Sequence, residues 1–208
     1  MLQAELKALV TLAVTVGPIE VAAMFLALTT AIPSPRRTRL AWRGVLIAGI
    51  VLAGFALGGF WLLGAMQVGL PAFRAAGGVL LLGVARDLLF AQHSGLSSIT
   101  PGEEVEAAHQ PDIAVFPLAI PLIAGPGSMT AIVLLMGSAP SGTRIGLVLT
   151  ALAVVLAGTL AAMLAAERLV RMLGHTGANV IARVSGVLLA ALAMQFLFDG
   201  LRASGLFG

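Results

Sequence analysis

The sequence predicts an all-α membrane protein of six transmembrane helices, built as two inverted three-helix repeats with helices 1 and 4 broken at Gly-Pro motifs. Three observations lead to this class. The 208 residues are 59% hydrophobic and only 10% charged, with a mean hydropathy of +1.05. A soluble domain carries roughly 25% charged residues, so this chain cannot cover a water-facing surface and must face lipid. Next, six apolar runs reach the length of about 20 residues that a spanning helix needs: 6–32, 42–66, 72–91, 113–137, 145–166 and 178–201. Finally, one gap-free offset of 108 residues carries Gly17-Pro18 onto Gly125-Pro126 and Gly78-Val79-Leu80-Leu81 onto Gly186-Val187-Leu188-Leu189. Each half then holds three spans, and an odd number inserts the halves upside down relative to each other.

The chain reads as one transmembrane domain over 1–208, with repeat 1 at 6–91, a cytoplasmic loop at 92–111 and repeat 2 at 113–201. Segment 1 is interrupted at Gly17-Pro18 and closed by Pro33-Ser34-Pro35. Segment 2 contains Gly54 and Gly58, a small-residue pair that suits close helix packing. Pro71 opens segment 3, where Arg74 precedes Gly77-Gly78. The connection at 92–111, with Glu103, Glu104, Glu106, His109 and Pro111, reads as a solvated loop. Segment 4 opens with Phe116–Gly127, which holds Pro117, Pro121 and Pro126 beside Gly125 and Gly127. A proline removes a backbone donor and crowds the carbonyl one turn back. In a bilayer such broken backbone is tolerated only inside protein or beside a wet cavity. Pro140-Ser141-Gly142 separates segments 4 and 5, and Gly174-His175-Thr176-Gly177 separates 5 and 6. Ala182, Gly186 and Ala190 give segment 6 a second packing face. There Gln195 is expected to bond a neighbouring helix and Asp199 to pair with Arg202.

Orientation follows from the basic residues. Arg36, Arg37, Arg39 and Arg43 of the 1–2 loop fall on one side, together with Arg86, Arg168, Arg171 and Arg183. Lys7, Arg74, Arg144 and Arg202 fall on the other. Positive residues favour the cytoplasm, which places both termini of this multi-pass chain outside.

Discontinuous membrane helices carry the binding sites of many transporters, and the candidate site follows from the two breaks. In repeat 1 it comprises Gly17, Pro18 and Glu20. An acidic side chain within a span costs about 3 kcal/mol on insertion scales and is expected to face a cavity or a partner. Glu20 is the only acid placed well inside a span. Whether desolvation or the nearby helix-start amides prevail decides between a proton carrier and a fixed partner for an ammonium or a metal cation. In repeat 2 the site comprises Gly125, Pro126, Gly127, Ser128 and Thr130. Free amides of Gly127, Ser128, Met129 and Thr130 at a helix start would suit a carboxylate. The alternative is a kinked packing helix whose hydroxyls bond back to their own backbone.

The sequence has no cysteine, and no phosphate loop, dinucleotide fingerprint, zinc-binding His pair or nucleophile elbow. No enzyme, metal, cofactor or nucleic-acid partner is expected. Together these motifs resemble the MarC family (UPF0056) of six-span bacterial membrane proteins, grouped distantly with LysE-type exporters. The most specific are Pro117-Leu118-Ala119-Ile120-Pro121-Leu122, Ala124-Gly125-Pro126-Gly127, Phe73-Arg74-x-x-Gly77-Gly78 and Thr176-Gly177-x-Asn179-Val180-Ile181-x-Arg183. The resemblance implies a bacterial inner-membrane protein that is a secondary transporter of small neutral amino acids or similar solutes, with proton or sodium coupling and a homo-oligomer left open. The alternatives are an exporter of another small solute or ion, or a non-transporting scaffold of the envelope. Segment 1 departs from the family's Asn-Pro-x-Gly-x-x-Pro. Gly17 stands at the Asn position, Glu20 at the Gly position and Ala23 at the second Pro.

Overall fold

The computed structural model describes residues 2–29, 32–90, 112–137 and 142–205. The expected loop at 92–111 lies outside them. Among the described residues all regular structure is helical. Four stretches are long and apolar enough to cross a membrane: Glu5–Leu28, Ser34–Ala65, Gly142–Leu164 and Val180–Ala203. A bent pair, Ala114–Ile123 with Pro126–Met136, makes a fifth if counted as one span. The described residues thus give four to five candidate spans, and the expected six are not confirmed. Segment 3 is a helix, but its 21 residues carry Arg74, Arg86 and Asp87.

Helix α1 (Leu2–Val16) stops at Gly17, whose φ of 60° and ψ of 66° are left-handed, and α2 (Pro18–Leu28) starts with proline. Glycine adopts that backbone without a Cβ clash, and proline suits the first helical position, where its missing N–H is not needed. The amide of Gly17 still donates to the Ala13 carbonyl at 3.0 Å, and its carbonyl accepts from Val21 at 2.9 Å. The interruption therefore spans one residue.

Helix α3 (Ser34–Ala65) has Pro33 as its cap and Pro35 in its first turn. Arg36, Arg37, Arg39 and Arg43 therefore lie on the first turns of α3 rather than in a loop. The chain's two tryptophans, Trp42 and Trp61, are both exposed on α3. Nineteen helical residues separate them, about 28 Å of rise, which matches the bilayer core, and tryptophan favours its two interfaces.

After α4 (Leu70–Phe90), residues Ala114–Ile123 form an irregular wide-turn coil, with extended backbone at Phe116 (φ −125°, ψ 128°) and Ile120 (φ −131°, ψ 124°). Each precedes a proline, whose ring forces the preceding residue out of the helical region. Helix α5 (Pro126–Met136) follows, capped by Gly125 and bent by 54° from the coil. Helices α6 (Gly142–Leu164) and α7 (Ala166–Ala203) complete the chain. The break expected at Gly174–Gly177 is absent: α7 runs through it, and the joint with α6 is at Ala165. Two glycines lower helix propensity by about 1 kcal/mol each, too little to end a 38-residue helix.

The main core gathers Leu12, Phe25, Leu52, Leu118, Ile123 and Met163 from both halves of the chain. A second cluster with Leu81, Leu189 and Phe196 joins α4 to α7. These two helices run antiparallel and nearly in backbone contact. A Cβ on Gly78 would meet the Ala193 carbonyl oxygen at 2.7 Å and the Leu197 amide at 2.8 Å; one on Gly186 would meet the Ala85 carbonyl oxygen at 3.1 Å and Leu89 Cγ at 3.0 Å. Among the described residues of this chain the expected Gly54–Gly58 packing face makes no contact, since a Cβ at either would touch nothing within 4 Å. Helix α3 packs instead through Gly44 against Leu118 and through Gly59 against Val133. Gln195 bonds within its own helix, donating to Asp199 Oδ1 at 2.9 Å, rather than across to a neighbour.

Candidate functional site

The two helix starts are built alike. Both α2 and α5 are eleven residues long, begin with proline, follow a glycine cap and lack a side-chain cap. Their ends at Leu28 and Met136 also differ by the 108-residue offset. One direct link joins them: the Ser128 hydroxyl donates to the Thr15 carbonyl at 3.1 Å. That carbonyl belongs to the last turn of α1, where backbone acceptors have no helical partner ahead of them. Ser128 is almost wholly buried, so its bond crosses between the two breaks instead of returning to its own helix.

Gly17, Gly125 and Gly127 are buried, while Pro18 and Pro126 are half-buried. Gly127 packs against Leu81 and Val84 of α4. The Thr130 methyl lies 2.5 Å from the point a Cβ on Gly77 would occupy. Of the four α5 amides expected to be free, that of Met129 is not, since it donates to the Gly125 carbonyl at 3.0 Å. The helix begins at Pro126, so Met129 and Thr130 already belong to the hydrogen-bonded ladder. The free amides of the first turn are those of Gly127 and Ser128.

Glu20 is half-buried and folds back over Gly17. Its Oε2 lies 2.6 Å from the point a Cβ on Gly17 would occupy. Its Oε1 is buried and has no hydrogen-bond partner. A carboxylate oxygen left so costs free energy unless something supplies a donor. Positions 17 and 20 are thereby coupled: the acid at 20 fills the space that a side chain at 17 would need.

A second buried acid escaped the sequence reading. Asp87 on α4 is 2% exposed, so Glu20 is not the only acid held inside the bundle. The available signal was its place within the apolar run Leu80–Phe90, obscured by the neighbouring Arg86, which is exposed. Among the described residues no group of three His, Cys, Asp or Glu could hold a metal ion.

The surroundings are tied down at the helix ends. Arg43 pairs with Asp112 at 2.8 Å, fixing α3 to the start of the proline coil. Arg144 donates to the Met136 carbonyl at 3.3 Å and so caps α5. Lys7 of α1 lies 6.0 Å from the ring centre of Phe196 on α7, within cation–π range.

Helices of this length and apolarity, wrapped around a broken proline-rich segment, define an integral multi-pass membrane protein. The model of the MarC family of integral membrane proteins matches residues 2–204, and the chain belongs to that family. It is 34% identical to a UPF0056 membrane protein of Methanocaldococcus jannaschii over 90% of this chain and 91% of the relative. It is 30% identical to the UPF0056 inner membrane protein YhgN of Escherichia coli K12 over 95% of each. It is also 30% identical to the UPF0056 membrane protein YvbG of Bacillus subtilis, over 89% of this chain and 88% of that one. No solved structure matches the chain significantly.

Proposed function

We propose that this protein is a secondary transporter of small neutral amino acids, or of similarly small zwitterions, working by alternating access between two inverted halves. The observation that carries this reading is the buried, unpartnered Glu20 Oε1 at a helix break whose last turn is bonded to the opposing break by Ser128. Glu20 receives the ammonium group or a coupling proton. The Gly127 and Ser128 amides, with the α5 dipole behind them, receive the carboxylate.

The inverted halves draw support from α4 and α7. At the 108-residue offset Gly78 corresponds to Gly186, Ala85 to Ala193 and Leu89 to Leu197. The contact of Gly78 with Ala193 and Leu197 is therefore the counterpart of that of Gly186 with Ala85 and Leu89. Reciprocal contacts between antiparallel helices are what a twofold axis lying in the membrane produces.

One observation favours a non-transporting scaffold: Gly127, Ser128 and Thr130 are buried, and their neighbours Leu81, Val84 and Gly77 pack closely. Export of another small solute, as in LysE-type proteins, uses the same site in the opposite direction. Uptake of labelled glycine and alanine into proteoliposomes, with and without pH and sodium gradients, separates these readings. Gradient-driven uptake supports the transporter. The absence of any flux for amino acids and other small metabolites, in either direction, favours the scaffold.

A further inference from the structure

At one end of the bundle a cavity of about 440 Å³ opens between α2, the start of α3, the end of α6 and the start of α7. Phe25, Met163 and Leu164 are on its apolar side, and Ser34, Arg37, Thr38, Glu167 and Arg168 on its polar side. Its volume falls in the range of small-molecule sites. At the other end, the counterparts of two of its lining residues touch each other. Shifted by 108 residues, Phe25 becomes Val133 and Glu167 becomes Gly59. Val133 packs so tightly on Gly59 that a Cβ there would lie 2.5 Å from Val133 Cγ2. Where one end has a dry van der Waals contact, the other has a polar cavity, as one-sided access requires of an inverted repeat.

Arg37 dominates the cavity wall. Its side chain is 18% exposed and is paired with Glu167, which is 63% exposed. Its Nη2 also donates to the Ile32 carbonyl at 3.4 Å, while its Nε is buried without a partner. A guanidinium offers a fork of donors matched to a carboxylate. This one is largely desolvated, has a donor unused, and is held by an acid that returns to water at little cost. Trp42, five residues further along α3, is exposed and marks the membrane interface. Arg37 therefore lies about 7–8 Å further out, where a solute arrives from water.

We propose that this cavity is the solute vestibule of the present conformation, with Arg37 as its carboxylate receptor and Glu167 as the internal carboxylate that an incoming solute displaces. The inference rests on the transport reading and adds to it a place of entry and a chemical class, small carboxylate-bearing solutes.

The chain has no cysteine, so Thr38→Cys places a single thiol on the cavity wall of the full-length protein. Its reaction with a membrane-impermeant methanethiosulfonate is followed in proteoliposomes, in sodium acetate or glycine against sodium chloride of equal ionic strength. Labelling is expected from the face that carries Arg36 and Arg39, and acetate and glycine at tens of millimolar slow it severalfold. Glu167→Gln lowers the concentration needed, because the competing carboxylate is gone. Arg37→Gln abolishes the protection, and Arg37→Lys, which keeps the charge but loses the fork, restores it in part. Equal rates in acetate, glycine and chloride in the Glu167→Gln background overturn the proposal, as does protection that survives Arg37→Gln. If protection fails while uptake persists, the vestibule is wrong and the transport reading stands. If carboxylates protect a chain that moves no solute, Arg37 remains a receptor and the transport reading falls.

Discussion

Gly17 and Glu20 are fitted to one another. Gly17 holds a left-handed backbone, which costs a residue such as alanine about 1–2 kcal/mol, and the Glu20 carboxylate fills the space beside it. Gly17→Ala should therefore destabilise by about 1–2 kcal/mol from the backbone alone, with a further term from the clash. Adding Glu20→Ala should recover the clash term and leave the backbone term. A double-mutant cycle on thermal unfolding in detergent measures this, and strict additivity would show that the two residues do not touch. Ser128→Ala should cost about 0.6 and at most ~1.7 kcal/mol, the range of hydrogen bonds between membrane helices. The Gly-Pro pair and Glu20 were legible in the sequence because proline and an intramembrane acid are both rare enough to stand out. The back-folding of Glu20 was not, since it depends on the φ of one glycine. Asp87 was missed because its burial is set by the helices packed around α4 and not by its neighbours in the chain.

The α4–α7 contact is close at Gly78, as it is at Gly200, where the obstacles to a Cβ are backbone atoms of the facing helix. Backbone cannot move aside, so Gly78→Ala should destabilise by about 1–3 kcal/mol. Gly186→Ala meets atoms at 3.0–3.1 Å and should cost less. Gly54→Ala meets nothing and should stabilise by about 0.5–1 kcal/mol, the helix-interior advantage of alanine. Thermal unfolding of the three variants checks this order, and a destabilising Gly54→Ala would show that α3 uses its small-residue face after all. Gly54-x-x-x-Gly58 looks the same in sequence whether a partner helix or lipid lies against it, which is why that packing face was misread. The start of α3 was misplaced for a similar reason: Pro33-Ser34-Pro35 reads as a stop, yet proline is tolerated in a first helical turn. The irregular coil at Ala114–Ile123 was foreshadowed by its prolines, because the restriction before each proline is local.

Taken together, the helices place Arg36, Arg37, Arg39, Arg168 and Arg171 around the joints α2–α3 and α6–α7. The positive-inside bias predicts that this end lies in the cytoplasm and the C-terminus outside. Reporter fusions at Pro33 and at the C-terminus check it, and a cytoplasmic C-terminus would reverse the assignment. That the chain belongs in a membrane was legible from composition alone, because ten charged residues in every hundred cannot solvate a surface. The count of spans was less so, because Arg74, Arg86 and Asp87 share one 21-residue helix and only packing decides how they are accommodated. The transport account turns on Glu20, the acid whose Oε1 is buried without a partner at the break. The most direct test is uptake of labelled glycine and alanine by proteoliposomes of the native chain and of Glu20→Gln, under imposed pH and sodium gradients. The amide keeps the volume of the side chain, so Glu20→Gln should fold as the native protein does and lose gradient-driven uptake by at least about tenfold, or ~1.4 kcal/mol. Uptake by Glu20→Gln at the native rate, with the same gradient dependence, would contradict the account.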